Sequence, residues 1–154
     1  NLLYNSTRST DIYGDYLGAE SKWTITDSST DVVAPDGSQY TTKGVTSDSG
    51  NHFFWTTGHP VTYVDGEYYT HSVWIRSATG TGDRNISITS YPQNAVGQTS
   101  NSGFLTVTAK EEWTRVFITF QYDSGTSKPY LGFVNPTNNS TYYFWGWQVE
   151  QSIT

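Results

Sequence analysis

The feature that most constrains this chain is a two-residue hydrophobic period that recurs along it, interrupted by short clusters of turn-forming residues. Segments rich in Val, Ile, Thr and aromatic residues lie at Tyr40–Val45, His52–Thr56, Tyr68–Ser77, Asn85–Tyr91, Phe104–Thr108, Trp113–Tyr122, Tyr130–Val134 and Thr141–Val149. Alternation places successive side chains on opposite faces of an extended backbone, so each segment reads as a strand. Between them stand Pro35-Asp36-Gly37, Asp65-Gly66, Thr79-Gly80-Thr81-Gly82-Asp83, Ser124-Gly125, Asn135-Pro136 and Asn138-Asn139. Their Gly, Asn, Asp and Pro supply the backbone angles that turns require. No stretch carries a sustained 3.6-residue apolar stripe, and a helical turn is expected at most near Lys110–Glu112. A short strand is expected at Leu2–Tyr4. Ser6–Asp36 reads as a long loop region, with one strand near Trp23–Thr26, that borders a binding site. Eight or nine short strands without an internal repeat predict an all-β chain, a jelly-roll β-sandwich of two antiparallel sheets.

At 154 residues the chain is expected to form a single domain, 1–154, with a two-layer core. It has no Cys, which excludes disulfides and thiolate metal sites. No apolar run reaches membrane-spanning length, and no membrane partner is expected. The missing initiator Met and signal peptide are read as marks of an excised module or processed product. A net charge of −6 with only 14% charged residues leaves no basic surface for nucleic acid. Polarity comes instead from Ser, Thr, Asn, Gln and Gly, while aromatics reach 16%. Neutral hydrogen-bonding groups mixed with Trp and Tyr suit a hydroxyl-rich ligand such as a glycan. The competing reading is that Thr and aromatics simply build strands.

Alternation also assigns faces. In Tyr68–Ser77, Tyr69, His71, Val73 and Ile75 are expected inward, with Tyr68, Thr70, Ser72, Trp74 and Arg76 outward. In Trp113–Tyr122 the inward set is Val116, Ile118, Phe120 and Tyr122, opposite Trp113, Arg115, Phe117, Thr119 and Gln121. Ile86 and Ile88 are expected inward; Asn85, Ser87, Thr89 and Tyr91 outward. In the aromatic run before Val149, Trp145 and Trp147 are expected in the core and Tyr142 and Phe144 outside. Candidate ligand contacts are therefore Trp74, Arg76, Arg115, Phe117 and Gln121 on the strands, with Tyr91 and Gln93 where a strand runs into a polar loop. The alternative for Trp74 and Phe117 is burial beneath a long loop.

Catalysis is not expected. Ser49-Gly50-Asn51-His52 lacks the strand–turn–helix setting of an activated serine and reads as a polar turn. His52, His59 and His71 have no metal-ligand spacing. Asp36, Asp48, Asp65, Asp83 and Asp123 each stand beside Gly or Ser, where carboxylates make turn hydrogen bonds.

Four ordered blocks resemble the jelly rolls of carbohydrate-binding modules found in bacteriophage tail and host-recognition proteins. They are Asn1-Leu2-Leu3, the strand from Asp65-Gly66-Glu67-Tyr68-Tyr69-Thr70-His71-Ser72-Val73-Trp74-Ile75-Arg76, the entry Glu112-Trp113-Thr114-Arg115-Val116, and the closing Trp145-Gly146-Trp147-Gln148-Val149-Glu150. The resemblance implies termini on neighbouring strands and a module inserted into, or appended to, a carrier protein. It implies a virion tail or cell-surface location and a bacterial envelope polysaccharide as partner. The alternative class is a structural or protein-interaction sandwich of a virion or surface protein. No cofactor is expected; related jelly rolls often hold a structural Ca²⁺, for which Glu20, Asp27, Asp31 and Glu150 are candidate ligands.

Overall fold

A computed structural model of the chain describes residues 2–6, 17–19, 22–47, 54–56, 61–96, 104–134 and 136–152. Among them run eleven strands: β1 (Leu2–Ser6), β2 (Leu17–Ala19), β3 (Trp23–Ser29), β4 (Thr41–Thr46), β5 (Phe54–Thr56), β6 (Tyr68–Ser77), β7 (Arg84–Thr89), β8 (Leu105–Ala109), β9 (Thr114–Gln121), β10 (Gly132–Val134) and β11 (Thr141–Gln151). They form two antiparallel sheets. The first has the order β3-β4-β11-β6-β9, with β1 paired to the second half of β11; the second has the order β2-β5-β10-β7-β8. The all-β sandwich is as the alternation predicts. The bend at Glu111–Glu112 replaces the expected helical turn, and β2 is a second strand in a stretch that reads as mostly loop. Glu20, Ser49–His52, His59 and Asn135 lie outside the described residues.

The inward positions of both sheets meet in one cluster that includes Val73, Ile75, Ile86, Ile88, Val116, Ile118, Phe133, Phe144 and Trp147. A smaller cluster joins Val61, Tyr63, Tyr69, Phe120 and Val149, with Tyr122 packed against it. His71 is buried, its ring nitrogens 3.1 Å from the Tyr63 hydroxyl and 3.0 Å from Ser90 Oγ. That pairing satisfies both nitrogens of a core imidazole.

Strand β11 departs from simple alternation. Trp145 pairs with Trp74 and Gln148 with Ser72, so three steps on β11 answer two on β6. The extra residue makes a β-bulge at Gly146, whose φ of +67° favours a residue without a Cβ. A Cβ there would also stand 3.2 Å from Trp74 Cδ1. The bulge shifts the phase of the strand. Tyr142 and Phe144 point inward before it and are fully buried; Trp147 and Val149 point inward after it. Strict alternation across Gly146 therefore misassigns Tyr142 and Phe144 to the outside and Trp145 to the core. Trp145 is only half-buried, on the outer face. In the second sheet, Ser87 and Thr89 keep outward phase but are buried all the same.

Candidate functional site

The outer face of the first sheet carries the chemistry. Register across β11, β6 and β9 sets side chains in rungs: Trp145–Trp74–Arg115, then Gln148–Ser72–Phe117, then Glu150–Thr70–Thr119. Neighbouring strands are about 4.8 Å apart, so each rung is a continuous row of contacting groups. Thr70, Ser72, Arg115, Phe117 and Glu150 line a cleft of about 360 Å³. Phe117 is its apolar element, with 61% of its surface exposed. A ring this exposed is open to a ligand. Beyond the free edge of β9, Ala95 bridges to Phe120 and the Val96 amide donates to the Thr119 carbonyl at 2.8 Å. This places exposed Val96 beside Thr119, at the end of the Glu150–Thr70–Thr119 rung.

The polar half of the cleft is a fixed network. Arg115 Nη2 donates to Ser72 Oγ at 2.9 Å, to Glu150 Oε1 at 3.0 Å, and to Gln148 Oε1. Thr70 Oγ1 lies 2.8 Å from Thr119 Oγ1 and 2.7 Å from Ser152 Oγ. A guanidinium shared by three acceptors on two strands is held in orientation, as are the groups it binds.

One end of the face is roofed. The segment between β3 and β4 is closed on itself by Ala34 N donating to Ser38 O at 2.8 Å, and it reaches β9, where the Trp113 indole donates to Val33 O at 2.8 Å. Beneath it Tyr143, outward in phase, is only 5% exposed. Its hydroxyl donates to Asp31 Oδ2 at 3.3 Å, and Lys43 Nζ lies 2.6 Å from the same oxygen. The Lys43 hydrogen bond holds the Asp31 carboxyl below the usual carboxylate range, and burial pushes the Tyr143 hydroxyl up. Arg76 sits at this covered end, its guanidinium 6.0 Å from the centre of the Trp113 ring.

Of the residues expected to bind ligand, Trp74, Arg115, Phe117 and Gln121 share the outer face. Phe117 and Arg115 line the cleft; Trp74 is half-buried against Gly146, and Gln121 donates to Gly66 O at 2.9 Å on the rim. Tyr91 and Gln93 are elsewhere. Tyr91, 41% exposed, stands on the loop leaving β7 of the other sheet with its ring 5.4 Å from that of Tyr130. Gln93 is 2% exposed, and its amide holds the turn at Asp123–Ser127: Nε2 donates to the Asp123 and Ser127 carbonyls at 3.2 Å, and Oε1 accepts from Asp123 N at 2.9 Å. An amide so buried and so engaged is committed to the turn. The place of Gln148 beside Arg115 is not legible in the sequence, because it depends on pairings between distant segments.

Three of the four candidate calcium ligands lie within the described residues, and each of the three has another partner. Asp27 accepts from Thr42 Oγ1, Asp31 pairs with Lys43, and Glu150 pairs with Arg115. Among the described residues no three acidic or His side chains converge.

No family model and no curated protein matches the chain in sequence. Solved structures do match in shape. The CBM22-1 xylan-binding domain of Paenibacillus barcinonensis Xyn10C superposes with a TM-score of 0.64 at 8% identity, over 100% of this chain and 96% of that one. The C-terminal family 22 carbohydrate-binding module of Clostridium thermocellum Xyn10B gives 0.62 at 13% identity, over 99% and 96%. The fold is that of a carbohydrate-binding-module jelly roll. A third such jelly roll, module CBM6cm-2 of Cellvibrio mixtus lichenase 5A in complex with cellotriose, gives 0.54 at 11% identity, over 99% and 100%.

Proposed function

We propose that this chain is a non-catalytic carbohydrate-binding module that holds a polysaccharide on the outer face of its six-stranded sheet. The observation that carries this reading is one cleft in which the exposed Phe117 ring stands beside the oriented Arg115–Glu150–Gln148–Ser72 network. A sugar ring presents C–H groups to an aromatic face and hydroxyls to fixed donors and acceptors, so both halves of the cleft have a counterpart on such a ligand. The jelly-roll fold shared with a xylan-binding domain and with a module in complex with cellotriose supports the assignment. Among the described residues Glu150 is the single carboxyl lining the cleft, and it is tied to Arg115, whereas glycoside hydrolysis uses a pair of carboxyls about 5–10 Å apart.

The carrier we propose is a bacteriophage tail or cell-surface protein, with a bacterial envelope polysaccharide as ligand. Its support is the resemblance of the four sequence blocks to modules of that kind. A shallow cleft with one open ring gives weak single-site binding, and repeated copies on a symmetric particle would raise it by avidity. The test is titration of the isolated chain against xylan, cello-oligosaccharides and purified envelope polysaccharides, with fluorescent labelling of intact bacteria alongside. Saturable binding to at least one glycan without release of reducing ends is expected. No binding across the panel, together with a stable dimer that buries Phe117, would instead establish an interaction sandwich.

A further inference from the structure

We propose that Glu150 acts as a charge filter, neutralising Arg115 in the cleft so that the face admits uncharged saccharides and turns polyanionic ones away. This rests on the carbohydrate reading above and adds which chemical class of glycan it takes.

Arg is the side chain best shaped to capture carboxylate or phosphate, through a planar fork of N–H donors. An arginine lining an open cleft would ordinarily invite an acidic polymer. Here its Nη2 is already committed to Glu150, Gln148 and Ser72. Both partners of the ion pair remain accessible, at 41% for Arg115 and 39% for Glu150, so a ligand meets the pair and not a lone cation. Two further cations of this face, among the described residues, are occupied as well. Lys43 pairs with Asp31 at 2.6 Å, and Arg76 donates to Thr79 Oγ1 at 3.0 Å and Ser77 O at 3.2 Å at the roofed end.

Vicinal hydroxyls complement this arrangement. One hydroxyl donates to the Glu150 carboxylate while its neighbour accepts from a remaining guanidinium N–H, with no net charge required on the ligand. A carboxylate or phosphate on the ligand would instead approach Glu150 as a like charge, against a chain of net charge −6. Specificity then arises from a repulsive element as much as from an attractive one.

The experiment compares two soluble polymers with the same backbone, neutral hydroxyethylcellulose and anionic carboxymethylcellulose, by titration at low and at high salt. The unaltered chain is expected to favour the neutral polymer. Glu150→Gln is expected to shrink that preference about five- to tenfold by gaining affinity for the anionic one, a gain that salt removes. Arg115→Gln, which leaves the carboxylate unneutralised, is expected to widen the preference, and it serves as the second probe if Glu150→Gln folds poorly. A preference unmoved in both variants at unchanged thermal midpoint overturns the filter while leaving carbohydrate binding standing. Failure of the unaltered chain to bind either polymer or any glycan of the wider panel counts against the carbohydrate reading itself, and the filter falls with it.

Discussion

Phe117→Ala is expected to weaken glycan binding by about tenfold or more, while the thermal midpoint moves by less than about 3 °C. The two halves of that expectation have separate causes. Phe117 is 61% exposed, so the folded chain gains little from its contacts and loses little without them. Its ring is the apolar member of the cleft, beside the Gln148–Ser72 part of its rung. An anchor that is desolvated only when ligand arrives contributes to binding and not to folding. Calorimetric titration and thermal melting of the same preparation check both halves. A large drop in midpoint with binding retained would mean that the ring is covered in solution.

The second large effect separates two tryptophans that are two residues apart. Trp147→Ala is expected to destabilise the chain by about 3–5 kcal/mol, lowering the midpoint by roughly 6–20 °C. Trp147 is 1% exposed, with its ring 5.5 Å from Phe133 and 5.9 Å from Phe144. Trp145→Ala is expected to lose only about 1–2 kcal/mol. Trp145 is half-buried on the outer face, outside the core cluster that holds Trp147, so truncation leaves no core cavity. Chemical denaturation of the two variants measures the difference. Equal losses would contradict the bulge at Gly146 that puts these rings on opposite faces.

That bulge marks where reading the sequence stops working. Alternation located β6 to the residue and sorted the faces of β6 and β9 as the structure has them, because both strands run without interruption between clear turns. The outward, exposed placement of Phe117 and Arg115 is legible for the same reason. In β11 the phase inverts at Gly146, and a lone glycine inside a strand pattern is the available signal for such a break. Gln93 misled because a polar residue after a strand looks exposed, whereas its amide is consumed by a turn some thirty residues further on. From sequence alone Glu150 reads only as a metal-ligand candidate. Its role beside Arg115 follows from the register of β11 and β9 on either side of β6, which local sequence does not state.

The central claim is that the outer face of the six-stranded sheet holds the glycan. Amide chemical shifts followed by NMR during titration with a glycan that binds test it most directly. Saturable shifts centred on Ser72, Arg115, Phe117 and Gln148, with Ile86 and Ile88 of the opposing sheet unmoved, are the predicted result. Shifts that leave those four amides in place and gather around Tyr91, Tyr130 and Leu105 would contradict it.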